Sequence, residues 1–402
     1  MTDRDPRGFR TLVANVGVKD ATPDLSVIVA DRPCSAAAVF TRSRFQGPSV
    51  QLSRRNAADG RLQAIVTVSK NANVATGAAG ARDAEEVVAL VADLVGVDPQ
   101  DVLIGSTGVI GRPYPMDRLR AGIAALRRGV GPHRSEVGPR EDGRADFAAV
   151  AEAMMTTDTR PKVARASVAA TGGGPASIVG VAKGVGMIEP DMATLLTYLL
   201  TDAEVAPDQL DALFRRVVDQ SFNCLSIDTD TSTSDTATVL ASGEAGLVDL
   251  GELEAALLSV AQDLTRQVAA DGEGATTLIE VLVDQARDEP QARRVAKSIV
   301  NSPLVKTAVH GRDPNWGRVA MAVGKCYEHA ADAAIDPDRT VIRFGTLEVF
   351  PATDPDLERL SEVMAGEEVL IHVSLGIGTA TGRVWGCDLS AGYVRINADY
   401  TT

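Results

Sequence analysis

Thr194–Leu200 reads TLLTYLL, an uncharged run bounded by turn residues. Its length favours a buried strand over a helix, although periodicity alone does not separate the two. A strand that is apolar on both faces needs cover on both faces, so this run constrains the fold more than any other segment. The rest of the chain supplies that cover. Val87, Val88, Val91, Leu94 and Val95 fall on one helical face, with Gly96 placed as a stop. Asp117–Arg128 presents Leu119, Ile123 and Leu126 on a second helix. Pro207 opens another, carrying Leu210, Leu213, Phe214, Val217 and Val218, and Leu253, Leu257, Val260, Leu264 and Val268 mark one more. Ala64–Ser69, Leu103–Ile104 and Thr277–Val283 read as strands, followed by a helix through Arg293–Val300. From about residue 340 short strands dominate: TVIRFG, EVLIHVSLG and YVRINADY. Gly129–Gly143 reads as an exposed loop, and TGGGPAS (Thr171–Ser177) as a hairpin-type loop. The pattern predicts an α/β or α+β fold with a mixed sheet and a boundary near residue 280.

A chain of 402 residues has core enough for two or three domains without disulfide or metal staples. The 54 acidic against 40 basic side chains leave a charge of −14, which argues against gripping a phosphate backbone, so no nucleic-acid partner is expected. The opening MTDRDPRGFR is polar and charged, and no window approaches 18 uninterrupted apolar residues. Neither a signal peptide nor a membrane partner is predicted, and a cytoplasmic location is. Cys34, Cys224, Cys326 and Cys387 form neither a CxxC pair nor a secreted framework.

Several motifs have bland readings that win. GIGTATG (Gly376–Gly382) has the wrong spacing for a dinucleotide loop and does not precede a helix. DTDTSTSD (Asp228–Asp235) resembles the start of a calcium loop, but Thr233 and Val239 stand where Gly and Glu are needed. A hydroxyl-rich turn bonding its own backbone fits it better. His133, His310, His329 and His372 are scattered and suggest neither a triad nor a zinc site. No metal and no cofactor are predicted. Threonine-rich turns stand out instead, at Ser106–Gly108, Thr156–Thr159 and Ala193–Thr194. A threonine can act without histidine if the peptide bond before it is cut. Its freed α-amine, with an ordinary pKa of roughly 7.7–8.0, then takes the hydroxyl proton.

The string AKGVGMIEPDMATLLTYLLTDA (Ala182–Ala203) resembles the self-cleavage segment of the glutamate N-acetyltransferase (ornithine acetyltransferase) family. NANVATG (Asn71–Gly77), STGVIG (Ser106–Gly111), MTTDT (Met155–Thr159) and DTDTSTSDT (Asp228–Thr236) are similar to further blocks of that family, in the same order. So are DGEG (Asp271–Gly274), VNSPLVKTAVHGRDPNWGR (Val300–Arg318), WGCDLS (Trp385–Ser390) and the closing YVRINADYTT. The likeness runs from about residue 8 to residue 402. FTRSRFQGPSV, a cysteine-free NANVATG and KGVGM with EPDMATLL look closest to the branch found in clavulanic-acid-type antibiotic clusters. Val185 and Asp191 depart from the arginine-pathway pattern, where a small residue and Asn are usual. TGGGPAS looks like a lengthened hairpin with no function attached.

The resemblance implies an αββα-type layered sandwich, of the ornithine acetyltransferase and L-aminopeptidase/D-Ala-esterase kind, with a smaller α/β C-terminal domain. It implies self-cleavage between Ala193 and Thr194, giving an α chain of residues 1–193 and a β chain of residues 194–402. Of the β chain, about 194–280 would complete the sandwich and about 281–402 would form the smaller domain, with a dimer of αβ pairs as the assembly. Thr194 would move an acetyl group from N²-acetylornithine to glutamate through an acetyl-threonine ester, a ping-pong scheme. Thr107 and Gly108 match the oxyanion pair, and Thr157, Lys183, Glu273, Asn397 and Thr402, with Thr194, match the substrate contacts. Lys183 is the natural carboxylate partner and Glu273 the natural ammonium partner. An acetyl-CoA donor, or water as acceptor in an amidase or aminopeptidase, would keep the same nucleophile. His310, Asp313, Asn315, Trp316 and Arg318 form a polar block read as structural support or interface.

Overall fold

The structure, a computed structural model, describes residues 4–127, 145–189, 195–327, 329, 332, 334–352 and 354–399. The first half runs β1 (Phe9–Ala14), β2 (Leu25–Phe40), α1 (Pro48–Asn56), β3 (Arg61–Val68), α2 (Gly77–Val95), β4 (Val102–Ser106), α3 (Met116–Arg127) and α4 (Phe147–Met154). It continues with β5 (Lys162–Val168), β6 (Ala176–Lys183), β7 (Leu196–Glu204), α5 (Pro207–Asp219), β8 (Thr236–Leu247) and α6 (Leu250–Ala270). The remainder is β9 (Leu278–Ala286), α7 (Glu289–Val300), α8 (Pro303–His310), α9 (Trp316–Gly324), β10 (Val341–Phe344) and β11 (Leu347–Phe350). α10 (Leu357–Met364), β12 (Glu368–Ser374), β13 (Ala380–Cys387) and α11 (Ala391–Asp399) complete it.

Eight strands pair in the order β4-β3-β2-β8-β7-β6-β5, with β1 beside β2. β2 joins two halves: Leu25–Ala30 pairs with β1, Ser35–Phe40 pairs with β8, and its register against β3 shifts between Val29 and Cys34. The halves stack face to face. Ile65 and Leu103 of one pack with Val179, Val181, Leu196, Tyr198 and Leu200 of the other, and α4 contributes Phe147, Val150 and Met154 to the same core. Contact between the halves is close enough that a Cβ on Gly105 of β4 would lie 2.2 Å from the Tyr198 hydroxyl. The Thr67 and Tyr198 hydroxyls hydrogen-bond across the stack at 2.9 Å. The outer faces are covered by helices: α2 and α3 over β3 and β4, α5 and α6 over β6, β7 and β8. The result is the four-layer αββα arrangement. β7 shows why TLLTYLL reads as it does, for every residue of the strand except Glu204 is buried. Leu196, Tyr198 and Leu200 face the inter-sheet core, while Leu199 and Ala203 face the helices.

A second sheet, β11-β10-β12-β9-β13, draws all its strands from Leu278 onward and packs α7 against β9 and β13. TGGGPAS links β5 to β6 as a hairpin and reaches β8, where Thr171 and Gly172 N–H donate to Leu247 O (3.0 Å) and Ala245 O (2.9 Å). Gly96 ends α2 in the left-handed conformation. The loop expected over Gly129–Gly143 lies outside the described residues. One expectation fails: YVRINADY is not a strand, because Tyr393–Asp399 belong to helix α11. Its β-branched and aromatic residues suit a pleated surface, but tertiary anchors override that preference. Ser390 Oγ accepts the Gly392 N–H at 2.9 Å and donates to Gly274 O at 2.6 Å, which fixes the start of the helix on the turn after α6.

Candidate active site

A cleft of about 950 Å³, its open mouth included, lies where β4 and β6 end and β7 begins. The Ser232–Asp235 turn, the turn after α6 and α11 close its other sides. Thr107 follows β4 and gives its N–H to Val68 O at 3.1 Å, so its hydroxyl is what it presents to the cleft. That hydroxyl accepts from Lys183 Nζ at 3.1 Å and keeps its own proton to donate. Gly108 has φ +128°, and a Cβ there would stand 2.2 Å from the carbonyl carbon of Lys70, so no side chain fits.

Lys183 is the last residue of β6, paired with Leu196 of β7. Burial pulls its ammonium below the ordinary lysine range, with Asp158 opposing and Lys162 assisting. Asp158 stands 3.9 Å from it and accepts the Gly184 N–H at 2.7 Å. Burial would raise the Asp158 carboxyl, but the Lys183 and Lys162 ammoniums outweigh burial and hold it down to about 2. Behind this layer Lys162, with a side chain 0% exposed, bridges Asp158 (2.8 Å) and Asp271 (2.6 Å). Asp271 also accepts the N–H (3.1 Å) and the hydroxyl of Thr159.

Glu273 faces the cleft two residues further on. Thr157 Oγ1 donates to its Oε1 at 3.0 Å and Asn397 Nδ2 to its Oε2 at 2.9 Å, while its N–H reaches Val185 O at 2.8 Å. Six predicted residues, Thr107, Gly108, Thr157, Lys183, Glu273 and Asn397, therefore line one cleft. Ala193, Thr194, Asp191 and Thr402 lie outside the described residues. The chain on either side of 190–194 is pinned. Met187 and Ile188 N–H donate to Asp228 at 2.7 Å each, Glu189 accepts from Asn301 at 2.6 Å, and Leu195 O accepts from Thr236 N–H at 3.0 Å.

Sequence reasoning missed Asp158, Lys162 and Asp271 as a buried set, although the first and last stand inside blocks it singled out. The polar block from His310 to Arg318 lies away from the cleft. His310 pairs with Asp388 at 2.7 Å, Asn315 caps α9, Trp316 stacks on Phe350 at 5.1 Å, and Arg318 holds Leu304 O at 2.7 Å. DTDTSTSD is a turn, as read, and no cluster suited to a metal ion occurs among the described residues. No helix among them is long and apolar enough to cross a membrane.

The sequence pattern of the ArgJ family matches residues 10–402. The chain is 52% identical to the arginine biosynthesis bifunctional protein ArgJ 2 of Nostoc sp. over 99% of this chain and 98% of that one. It is 51% identical to the glutamate N-acetyltransferase Oat2 of Streptomyces clavuligerus, over 100% and 99% of the two chains. The crystal structure of an arginine biosynthesis bifunctional protein argJ from Bacillus halodurans is 37% identical, with a TM-score of 0.47 over 50% of this chain and 98% of that one. This chain belongs to the ArgJ family.

Proposed function

We propose that the protein is a glutamate N-acetyltransferase that carries an acetyl group from N²-acetylornithine to glutamate. The observation that supports this reading best is the pairing of Lys183 with the Thr107 hydroxyl beside Glu273 in one cleft. An acyl group under attack develops negative charge on its oxygen, and a hydroxyl proton held ready by a neighbouring ammonium answers that charge. Gly108 keeps the backbone beside it bare. A zwitterionic amino acid brings a carboxylate for Lys183 and an ammonium for Glu273.

In this reading the nucleophile is Thr194, freed by cleavage after Ala193, so the polypeptide works as chains 1–193 and 194–402, paired again into a dimer, in the cytoplasm. Residues 194–280 and 281–402 would form the two parts of the second chain. The Thr194 oxygen attacks the acetyl carbon, its proton passes to the new α-amine, and ornithine leaves. Glutamate then takes the acetyl group from the ester. Asn397 sets Glu273, and Thr402 adds a contact from the chain end.

The test is ornithine release from N²-acetylornithine with and without glutamate. Release that requires glutamate, with equimolar N-acetylglutamate formed, is the expected result, and equal release in both refutes a transferase. Intact mass should resolve two chains split at residue 194, and Thr194→Ala should abolish both the split and turnover.

A further inference from the structure

The Ser232–Asp235 turn ends on a carboxyl that none of the roles above uses. Asp235 lines the cleft and is 2% exposed, and its Oδ2 has no hydrogen-bond partner among the described residues. The Ser232 and Thr41 hydroxyls lie against this carboxyl, and its second oxygen is left over. The Asp235 carbonyl takes the Thr41 N–H at 3.0 Å, while the Thr41 hydroxyl turns to Ser232 O at 2.7 Å. Lys183 is the cation that faces it, and Lys183 Nζ is engaged by Thr107. Asp235 directly precedes Thr236, the residue that opens β8 and pairs with Leu196 at the start of β7. Buried polar atoms are almost always paired, so an unpartnered carboxyl oxygen in a cleft wall calls for a ligand that brings a hydrogen-bonding group.

Burial pushes this carboxyl well above the usual carboxylate range, and the nearby Ser232, Lys183 and Thr41 pull it back only in part. A carboxyl shifted in that direction holds its proton more readily than an exposed one, the tendency that suits a general acid.

We propose that Asp235 is the catalytic acid and base for the amine nitrogen in acetyl transfer, its free oxygen meeting first the nitrogen of the amide donor and then that of the acceptor. The proposal rests on the transferase reading above. In the first half-reaction the threonine C–O bond forms, the amide C–N bond breaks, and the leaving nitrogen takes the Asp235 proton. The threonine proton rests on the α-amine. In the second half the acceptor nitrogen attacks the ester carbon and gives its proton to the Asp235 carboxylate. The C–O bond then breaks, and the α-amine returns its proton to the threonine oxygen. Both groups end as they began.

The experiment compares an amide donor with an ester whose leaving group needs no proton. N²-acetylornithine with glutamate is the first, p-nitrophenyl acetate the second, and the nitrophenolate burst counts competent sites in each preparation. Per site, Asp235→Asn should lower amide transfer about 10²–10⁴-fold and lower the rate of the ester burst at least about tenfold less. Wild-type amide transfer should also fall as pH rises through the carboxyl's ionisation, a limb that the variant lacks. Lys183 deprotonates on rising pH too, but its limb should appear with both substrates and persist in the variant. Equal losses in both reactions, or no loss in either, overturn the proposal while the transferase reading stands. If the variant gives no burst, the wild-type profiles decide, and a limb that is absent or shared by both substrates overturns it. A wild-type protein that gives the ester burst but no transfer from N²-acetylornithine removes the transferase reading, and the role of Asp235 with it.

Discussion

Lys162→Met tests whether the buried ion set behind the cleft is what holds it together. The lysine side chain is 0% exposed and lies 2.8 and 2.6 Å from carboxylates of Asp158 and Asp271. Methionine fills similar space without charge, so the change removes the cation and little volume. Breaking a buried pair by deleting one partner costs about 3–5 kcal/mol, because the remaining charge is stranded. Unfolding entropy of roughly 2.1 cal/mol/K per residue gives about 0.8 kcal/mol/K for this chain, so Tm should fall by about 4–6 °C at pH 8. The pH dependence separates charge from packing. A stranded carboxylate has its folded-state pKa raised above the unfolded value, so proton uptake restores stability as pH is lowered. The deficit against wild type should therefore shrink between pH 8 and pH 5, whereas lost packing would cost the same at both. Thermal unfolding followed by circular dichroism at the two pH values reads this. A fall below about 1 °C, or an equal fall at both pH values, refutes the reasoning.

Further outcomes follow from single contacts. Thr107→Val removes the hydroxyl that Lys183 engages and should cost about 10²–10³-fold in kcat of acetyl transfer. Glu273→Gln keeps the shape but loses the charge between Thr157 and Asn397, and a charged hydrogen bond worth about 1.5–3 kcal/mol predicts a rise of roughly 10–100-fold in KM for N²-acetylornithine. Tyr198→Phe leaves the Thr67 hydroxyl unpaired between the stacked halves and should lower stability by about 1–3 kcal/mol in thermal unfolding. Asp158 ionises near 2 in the folded protein against 3.8 ordinarily, so its contribution, roughly 2 kcal/mol, is complete above pH about 4 and lost as pH falls toward 2. Unfolding free energies between pH 5 and pH 2 should show that loss in wild type and a smaller one in Lys162→Met.

What the sequence makes legible is whatever depends on local pattern. The apolar positions of α5 and α6 repeat at helical spacing and are the positions found buried. TLLTYLL has no polar face, and both faces of β7 are covered. The site residues were legible only through whole blocks of likeness, since Thr157 and Glu273 meet at 3.0 Å across 116 residues of sequence. No spacing rule could pair them. Nothing in RPKVARAS marks Lys162 out, because its burial depends on Asp271, 109 residues away. Asp235 read as the end of a turn, which it is. What sets it apart is that its turn ends inside the cleft wall. The closing helix was misread for a related reason: its residues suit a strand, but no sheet edge receives them.

The acidic surplus, uninformative as composition, has a partial explanation in where the aspartates lie. Several accept main-chain N–H groups from loops that have no strand or helix to pair with. Asp24 takes Val16 and Val18 at 2.7 Å each. Around the cleft the same device recurs. Asp158 takes Thr156 and Gly184, Asp228 takes Met187 and Ile188, Asp271 takes Thr159, and Asp388 takes Thr276 and Thr277. A loop amide turned away from solvent needs an acceptor, and a carboxylate answers two amides at once where a serine or asparagine would answer one or two more weakly. Three of these aspartates fix chain next to a site residue: Asp158 and Asp271 the Thr157 loop, Asp158 again the end of β6 at Lys183, Asp388 the turn after Glu273. Part of the negative charge is thus internal scaffolding for the cleft, and charge counting cannot tell it from solvated surface because both add the same unit to the total.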